Sequence, residues 1–200
     1  MRKSFLKFIE TELGNNFVLV TCGLPSTAKT GVSREIARIK DCPHLRSDLI
    51  RLEVLKNENI FDEKVASDMK KRTSVYDEMF RQADETLKKN DGVILDATFV
   101  SQELRRRAAG IADKHNKTFV IQQTDCPQEI SIARILARTR ENYESNALTE
   151  QAYLNNKKSF EKVDLADLKR VYPQLPVIHL IVDTTHDAPP DWKVIGIEKI

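Results

Sequence analysis

The chain lacks several features that would fix its class at once, and each absence removes an alternative. It has only three cysteines, Cys22, Cys42 and Cys126, widely spaced and without a C-x-x-C pair. An odd, scattered set argues against a disulfide framework or a zinc site and fits a reducing, cytoplasmic compartment. No apolar run approaches the roughly 20 residues that cross a bilayer, so no membrane role is expected. The first residues, MRKSFLKFIETELGNN, interleave lysines and glutamates with apolar positions and read as an amphipathic helix rather than a secretion signal. A net charge of +2 supplies no bulk field for nucleic acid, so any basic site must be local. Internal repeats, low-complexity linkers and an aromatic stripe for stacking bases are also missing. What remains is an ordinary globular composition, 31% charged and 40% apolar, in a length that suits one domain with a substantial core.

The most informative stretch is FVLVTCGLPSTAKT, residues 17–30. Phe17, Val18, Leu19 and Val20 read as a buried strand, Gly23 breaks the run, and Lys29-Thr30 precede a helical segment. This is the layout of a phosphate-binding loop, G-x-x-x-x-G-K-S/T, with Ala28 in place of the second glycine. Main-chain amides of Gly23, Ser26, Thr27 and Ala28, with the first helical turn, would cradle the phosphates of ATP. Lys29 would reach the β- and γ-phosphates, and Thr30 would offer its hydroxyl to Mg²⁺. An ordinary strand–turn–helix corner with a surface lysine is the competing reading. Ala28 leaves a further question open: a right-handed helical φ there houses the methyl cheaply, whereas any other φ weakens nucleotide binding.

The rest of the chain alternates strands and helices. Phe5, Phe8, Ile9 and Leu13 sit at helical spacing over 3–13. Helices follow over 29–40, 47–57, 62–90, 101–114, 127–142 and 148–162. Strands are expected at 43–46, 93–96, 118–123 and 177–182. The tail after Pro189-Pro190, WKVIGIEKI, reads as a short strand or a packed extension. Strands separated by helices predict a parallel sheet with helices on both faces, whose ligands bind beyond the carboxyl ends of the strands.

Three further places put polar residues at that edge. In SDLIR, Asp48 and Arg51 share one helical face. Asp48 could take the proton of an attacking hydroxyl, and Arg51 could hold an anionic part of the acceptor. The alternative is a capping aspartate with a solvated arginine. In VILDAT, Asp96 ends a buried strand, where it could hold Mg²⁺ or merely cap the next helix. In ARILARTR, Arg134 and Arg138 are four apart and could neutralise phosphoryl charge, or form a solvated basic stripe with Arg140. Arg105, Arg106 and Arg107 read as a solvated helix face.

Taken together, GLPSTAKT (23–30), LRSDLIR (45–51), VYDEMFRQADETL (75–87), GVILDATFVSQELRRRAAGIA (92–112), ARILARTR (133–140) and SNALTEQAYLNNKKSFE (145–161) resemble the P-loop kinases related to 5′-hydroxyl polynucleotide kinases. The chain is most similar to the small bacterial predicted kinases of that group, and more distantly to gluconate kinases and zeta toxins. The resemblance covers about residues 16–162. It implies an α/β, three-layer P-loop NTPase fold with a five-stranded parallel sheet in the order 2-3-1-4-5. It implies ATP and Mg²⁺ as cofactors, held by Lys29 and Thr30, with Asp96 as the strand-end aspartate of the site; Arg134, four residues before Arg138, is a further nucleotide-binding candidate from its spacing alone. Asp48 matches the general base, Arg51 the arginine that engages an acceptor phosphate, and Arg138 the lid arginine. The expected organisation is one kinase-like domain over 1–200, with a core at 16–183, an N-terminal helix at 1–15 and an extension at 184–200.

The expected activity is transfer of the γ-phosphate of ATP to a hydroxyl of a small molecule or of a nucleic-acid end, with the near-neutral charge favouring the small molecule. A nucleotide-binding module with little transfer activity is the alternative, motivated by Ala28. A toxin-like kinase acting on sugar-nucleotides is a third reading.

Overall fold

The computed structural model describes residues 2–58, 65, 68–137 and 149–200. A seven-stranded sheet forms its centre. Five strands are parallel: β2 (Phe17–Cys22), β3 (His44–Arg46), β4 (Val93–Asp96), β5 (Thr118–Asp125) and β6 (Val177–Asp183). They lie side by side as β3-β4-β2-β5-β6. That is the order 2-3-1-4-5 when the parallel strands alone are counted. The expectation of a five-stranded parallel sheet needs correction at one edge. The tail forms β7 (Lys193–Lys199), antiparallel to β6, and the two-residue β1 (Lys3–Ser4) pairs antiparallel with β7. The sheet is therefore mixed. The tail's apolar positions are compatible with a strand, but its partner is chosen by the edge that β6 leaves open, which no local pattern encodes.

The central strands are apolar on both faces because helices cover both. On β2, Val18, Val20 and Cys22 face one core and Phe17 and Leu19 the other. The first core is closed by α4 (Met69–Thr86), α5 (Gln102–Lys114) and α8 (Leu165–Val171), through Val75, Met79, Ala108, Ala112 and Leu168. The second is closed by α1 (Phe5–Thr11) and α2 (Lys29–Lys40), through Phe5, Phe8, Ile9, Val32 and Ile36. Trp192, just before β7, packs edge-on against Phe5, with ring centroids 5.5 Å apart. Three further α-helices lie among the described residues: α3 (Ser47–Val54), α6 (Gln128–Leu136) and α7 (Glu150–Ser159). Helix α8 has no counterpart among the expected elements. Asp164 caps its start, accepting from Asp167 N at 2.9 Å.

Arg105 is a second correction. Its side chain is wholly buried rather than solvated. The guanidinium donates to the carbonyls of Glu161 (2.8 Å), Val100 (3.2 Å) and Lys162 (3.3 Å) and stacks over Phe160. Its neighbours behave differently: Arg106 pairs with Asp167 at 2.9 Å, and Arg107 pairs with Asp77 at the surface. Three consecutive residues on a helix point in three directions, so one burial assignment cannot serve all of them.

Candidate active site

The turn leaving β2 spans residues 23–28 and runs directly into α2. Three of its residues have positive φ: Gly23 at 142°, Ser26 at 59° and Ala28 at 60°. Interspersed left-handed residues of this kind turn successive amides toward one concavity. At Gly23 a side chain is barred twice, since a Cβ would lie 2.5 Å from Thr124 Oγ1 and the φ suits only glycine. Ala28 answers the question its identity raised. The backbone keeps the left-handed conformation, the methyl packs against the α1–α2 core, and the strain is about 1–2 kcal/mol. Lys29 donates from Nζ to the Leu24 carbonyl at 2.6 Å, folded over its own loop.

Asp96, at the carboxyl end of β4, is buried and closely surrounded. His44 Nε2 lies 3.3 Å from Oδ2, Arg46 Nε 3.9 Å from the same atom, and Thr21 Oγ1 3.2 Å from Oδ1. Burial alone would raise its carboxyl. The neighbouring His44, a hydrogen bond from Thr30 and the charge of Lys29 outweigh burial and hold it below the ordinary carboxylate range. Thr30 and Asp96 thus meet as one oxygen-donor pair. His44 is in turn bonded to Ser33 Oγ at 3.0 Å.

Asp48 sits in the first turn of α3, half-buried, facing the same cluster. Burial and the Asp96 carboxylate push it up to about 6, against the opposing charges of Arg46, Arg51 and Lys29. Two carboxyls of one site are driven apart, one firmly ionised and one poised near neutrality, which is how acid–base roles are divided. Arg51, one turn on, has Nε and Nη1 buried without a hydrogen-bond partner, and Arg46 Nε is in the same condition. The charges of Arg51 and Arg72 also face the buried Tyr76 hydroxyl, which accepts from Phe99 N at 3.3 Å.

Arg134 stands on the opposite side of the loop. It donates to Asp187 Oδ1 (2.9 Å), to the carbonyls of Thr184 (2.9 Å) and Thr185 (3.2 Å), and at its longest reach to Ser26 O (3.5 Å); Cys126 Sγ lies 3.2 Å away. It therefore fastens the loop and the segment after β6 to α6. Arg138 and Arg140 lie outside the described residues. The structure thus brings together Lys29, Thr30, Asp48, Arg51 and Asp96, and sets Gly23, Ser26, Thr27, Ala28 and Arg134 on the other flank of the same turn. His44, Arg46, Arg72, Thr21, Thr124 and Thr184 escaped the sequence reading. His44 and Arg46 alone carried a usable signal, two polar side chains in a strand that precedes the SDLIR segment.

The donor set can be tested for its fit to ATP and Mg²⁺. Thr30 and Asp96 are hard oxygen ligands, and Mg²⁺ typically takes one or two protein oxygens with the rest from phosphates and water. No cluster of three or more His, Cys, Asp or Glu that could hold a metal ion occurs among the described residues. The Ser26 hydroxyl, buried and without a partner, adds a donor beside the cradle. The residues fit the group.

Comparison with known proteins bears on the family and the fold. A family model described as an AAA domain matches residues 18–163. No curated protein matches the chain. Among solved structures, a gluconokinase from Sinorhizobium meliloti 1021 is similar at 14% identity and a TM-score of 0.59, over 87% of this chain and 86% of that one. A sugar kinase from Janibacter sp. HTCC2649 is similar at 14% identity and 0.57, over 83% and 84%. Kti12 of Chaetomium thermophilum, solved with ADP-AlF3, is similar at 20% identity and 0.56, over 74% and 81%. At these identities the likeness is one of fold. No helix among the described residues is long and apolar enough to cross a membrane.

Proposed function

The chain belongs to this AAA-domain family, and from that premise we propose that it is an ATP-dependent kinase that moves the γ-phosphoryl group to a hydroxyl of a small acceptor carrying an anionic group. The reading rests on one observation above all. Asp48, pushed up to about 6, faces Asp96 and Lys29 at the mouth of the phosphate turn, with Arg51, whose buried Nε and Nη1 lack hydrogen bonds, beside it.

Each residue then has a task. Amides of residues 23–28 and Lys29 bind and orient the phosphates. Thr30 and Asp96 would hold Mg²⁺, which when bound neutralises phosphate charge. Asp48 accepts the proton of the acceptor hydroxyl as its oxygen bonds to the γ-phosphorus, while the bond from that phosphorus to the β–γ bridging oxygen breaks and ADP leaves. Arg51 grips the acceptor's anionic group by its planar fork. Arg138 is the candidate for charge stabilisation on the transferred group. The protein does little covalent chemistry, and rate comes from positioning and electrostatics. The small net charge and lack of a stacking stripe favour a metabolite over a nucleic-acid end, and the free cysteines suit the reducing cytoplasm.

The test combines calorimetry of ATP with Mg²⁺ and a transfer assay over a panel of anionic hydroxyl compounds. The reading expects binding by the wild-type protein and loss of transfer in Lys29→Ala. No binding, or unchanged transfer in that variant, overturns it. Binding without any product reduces the protein to a nucleotide-binding module.

A further inference from the structure

Ala28 occupies a left-handed position that glycine would take without strain, so something must hold the phosphate turn in that shape. We propose that Thr184 and Thr124, neither of which touches the nucleotide or the acceptor in the reading above, are positioning residues that clamp the turn in its anion-receptive form and so permit alanine at residue 28. The inference rests on that reading, since it concerns the same site.

The peptide plane sets the constraint. The carbonyl of Thr27 and the amide of Ala28 belong to one rigid plane, so fixing that oxygen restricts φ at Ala28. Thr184 Oγ1 donates to Thr27 O at 2.9 Å. Thr184 is itself anchored: its amide donates to Asp125 O at 2.9 Å, its hydroxyl also lies 3.1 Å from that oxygen, and its carbonyl accepts from Arg134. On the far side of Ala28, Val32 N donates to Ala28 O at 3.0 Å, so both flanking peptide planes are held. The side chain of Thr27 is pinned as well. Thr27 Oγ1 lies 2.5 Å from Thr124 Oγ1 and donates to Leu24 O at 2.8 Å. With one proton per hydroxyl, the order is Thr124 to Thr27 to the Leu24 carbonyl. All three threonines are buried, at 4% exposure or less, so water does not compete for these bonds. The clamp draws on the ends of β5 and β6, 97 and 157 residues away from Thr27.

Without the clamp, alanine leaves the left-handed region part of the time, and apparent ATP affinity falls by the fraction of loop still competent. Glycine pays no such penalty, so the defect depends on residue 28.

The experiment measures ATP dissociation constants of the full-length protein by calorimetry, with thermal melts as the check of folding. Thr184→Val is expected to weaken ATP binding about 5- to 10-fold, as follows from a penalty of about one to two hydrogen bonds. Thr184→Ser, which keeps the hydroxyl, stays within about two-fold of wild type. Ala28→Gly in the Thr184→Val background restores affinity, whereas a merely structural defect would not respond to residue 28. Thr124→Val with and without Ala28→Gly supplies the same cycle should Thr184→Val not fold. Additive effects of the two substitutions, or wild-type affinity in both valine variants, overturn the clamp while leaving the kinase reading intact. A wild-type protein that binds no ATP overturns both.

Discussion

The two flanks of the phosphate turn are built on opposite principles. On the side of β5 and β6, the residues that hold the turn are bonded within the protein, apart from the buried Ser26 hydroxyl: Arg134 has acceptors for all three guanidinium nitrogens, the Thr27 and Thr124 hydroxyls meet, and the Thr184 hydroxyl donates to the Thr27 carbonyl. On the side of β3 and α3, Arg51 and Arg46 carry buried nitrogens without hydrogen bonds, and Asp48 is a carboxyl with a raised pKa. A saturated flank is a frame, since each bond stabilises the fold. An unsaturated flank costs stability and is retained for what it meets. Substitutions of Arg134 and of the other flank should therefore separate, Arg134 losing stability and the other flank losing activity.

The largest expected effect is at Asp48. Asp48→Asn should lower kcat/KM by about 10²–10⁴-fold, the usual worth of a positioned general base. The wild-type rate should fall as pH drops through about 6. The same substitution should stabilise the fold. The folded-state carboxyl lies above its ordinary 3.8, so the ionised form destabilises the native state; that penalty is full above about 6 and fades as pH falls toward 3.8. A gain of about 1–2 kcal/mol in denaturant unfolding at pH 7, shrinking toward pH 4, is the signature. Loss of activity with loss of stability would break the contrast.

Arg134→Met reverses the pattern. It should cost about 2 kcal/mol of stability by stripping the Thr184 and Thr185 carbonyls and Asp187 of their donor. A melt unchanged from wild type would remove Arg134 from the frame. Arg51→Met should raise the acceptor KM about 10-fold or more while moving stability by less than about 1 kcal/mol, because no hydrogen bond of its Nε or Nη1 is lost. The smallest effect tests the idea of orphaned polar atoms away from the site. Gln122 is fully buried on β5, with both amide atoms lacking partners. Gln122→Met should stabilise by about 1 kcal/mol in the same unfolding assay and leave kinetics alone.

Particular residues show how far the sequence could be read. Phe17–Val20, Val93–Asp96 and Phe119–Ile121 are short apolar runs between turn signals, and each is a central strand. The inner stripe of α4, from Val75 to Leu87, follows its helical period into the core. Asp48 and Arg51 share a face of α3, and Asp96 ends its strand, as their spacing and position imply. Arg105 defeated the same reasoning: a run of three arginines has the pattern of a wet surface, and only the carbonyls of Val100, Glu161 and Lys162 make a buried guanidinium tolerable. The tail reads locally as a short strand or a packed extension, and only the edge that β6 leaves open decides for the strand and supplies its partner.

By itself, then, the order of residues along the chain determined the alternating strands and helices, the phosphate turn and the chemical identity of the groups beside it, because those depend on hydrophobic period and on neighbours a few positions apart. Tertiary structure alone decided the left-handed shape of Ala28, the opposite pKa shifts of Asp48 and Asp96, and the contrast between the bonded Arg134 and the unbonded nitrogens of Arg46 and Arg51. Each of these depends on burial and on hydrogen bonds from distant strands, and such contacts exist only once the sheet has assembled.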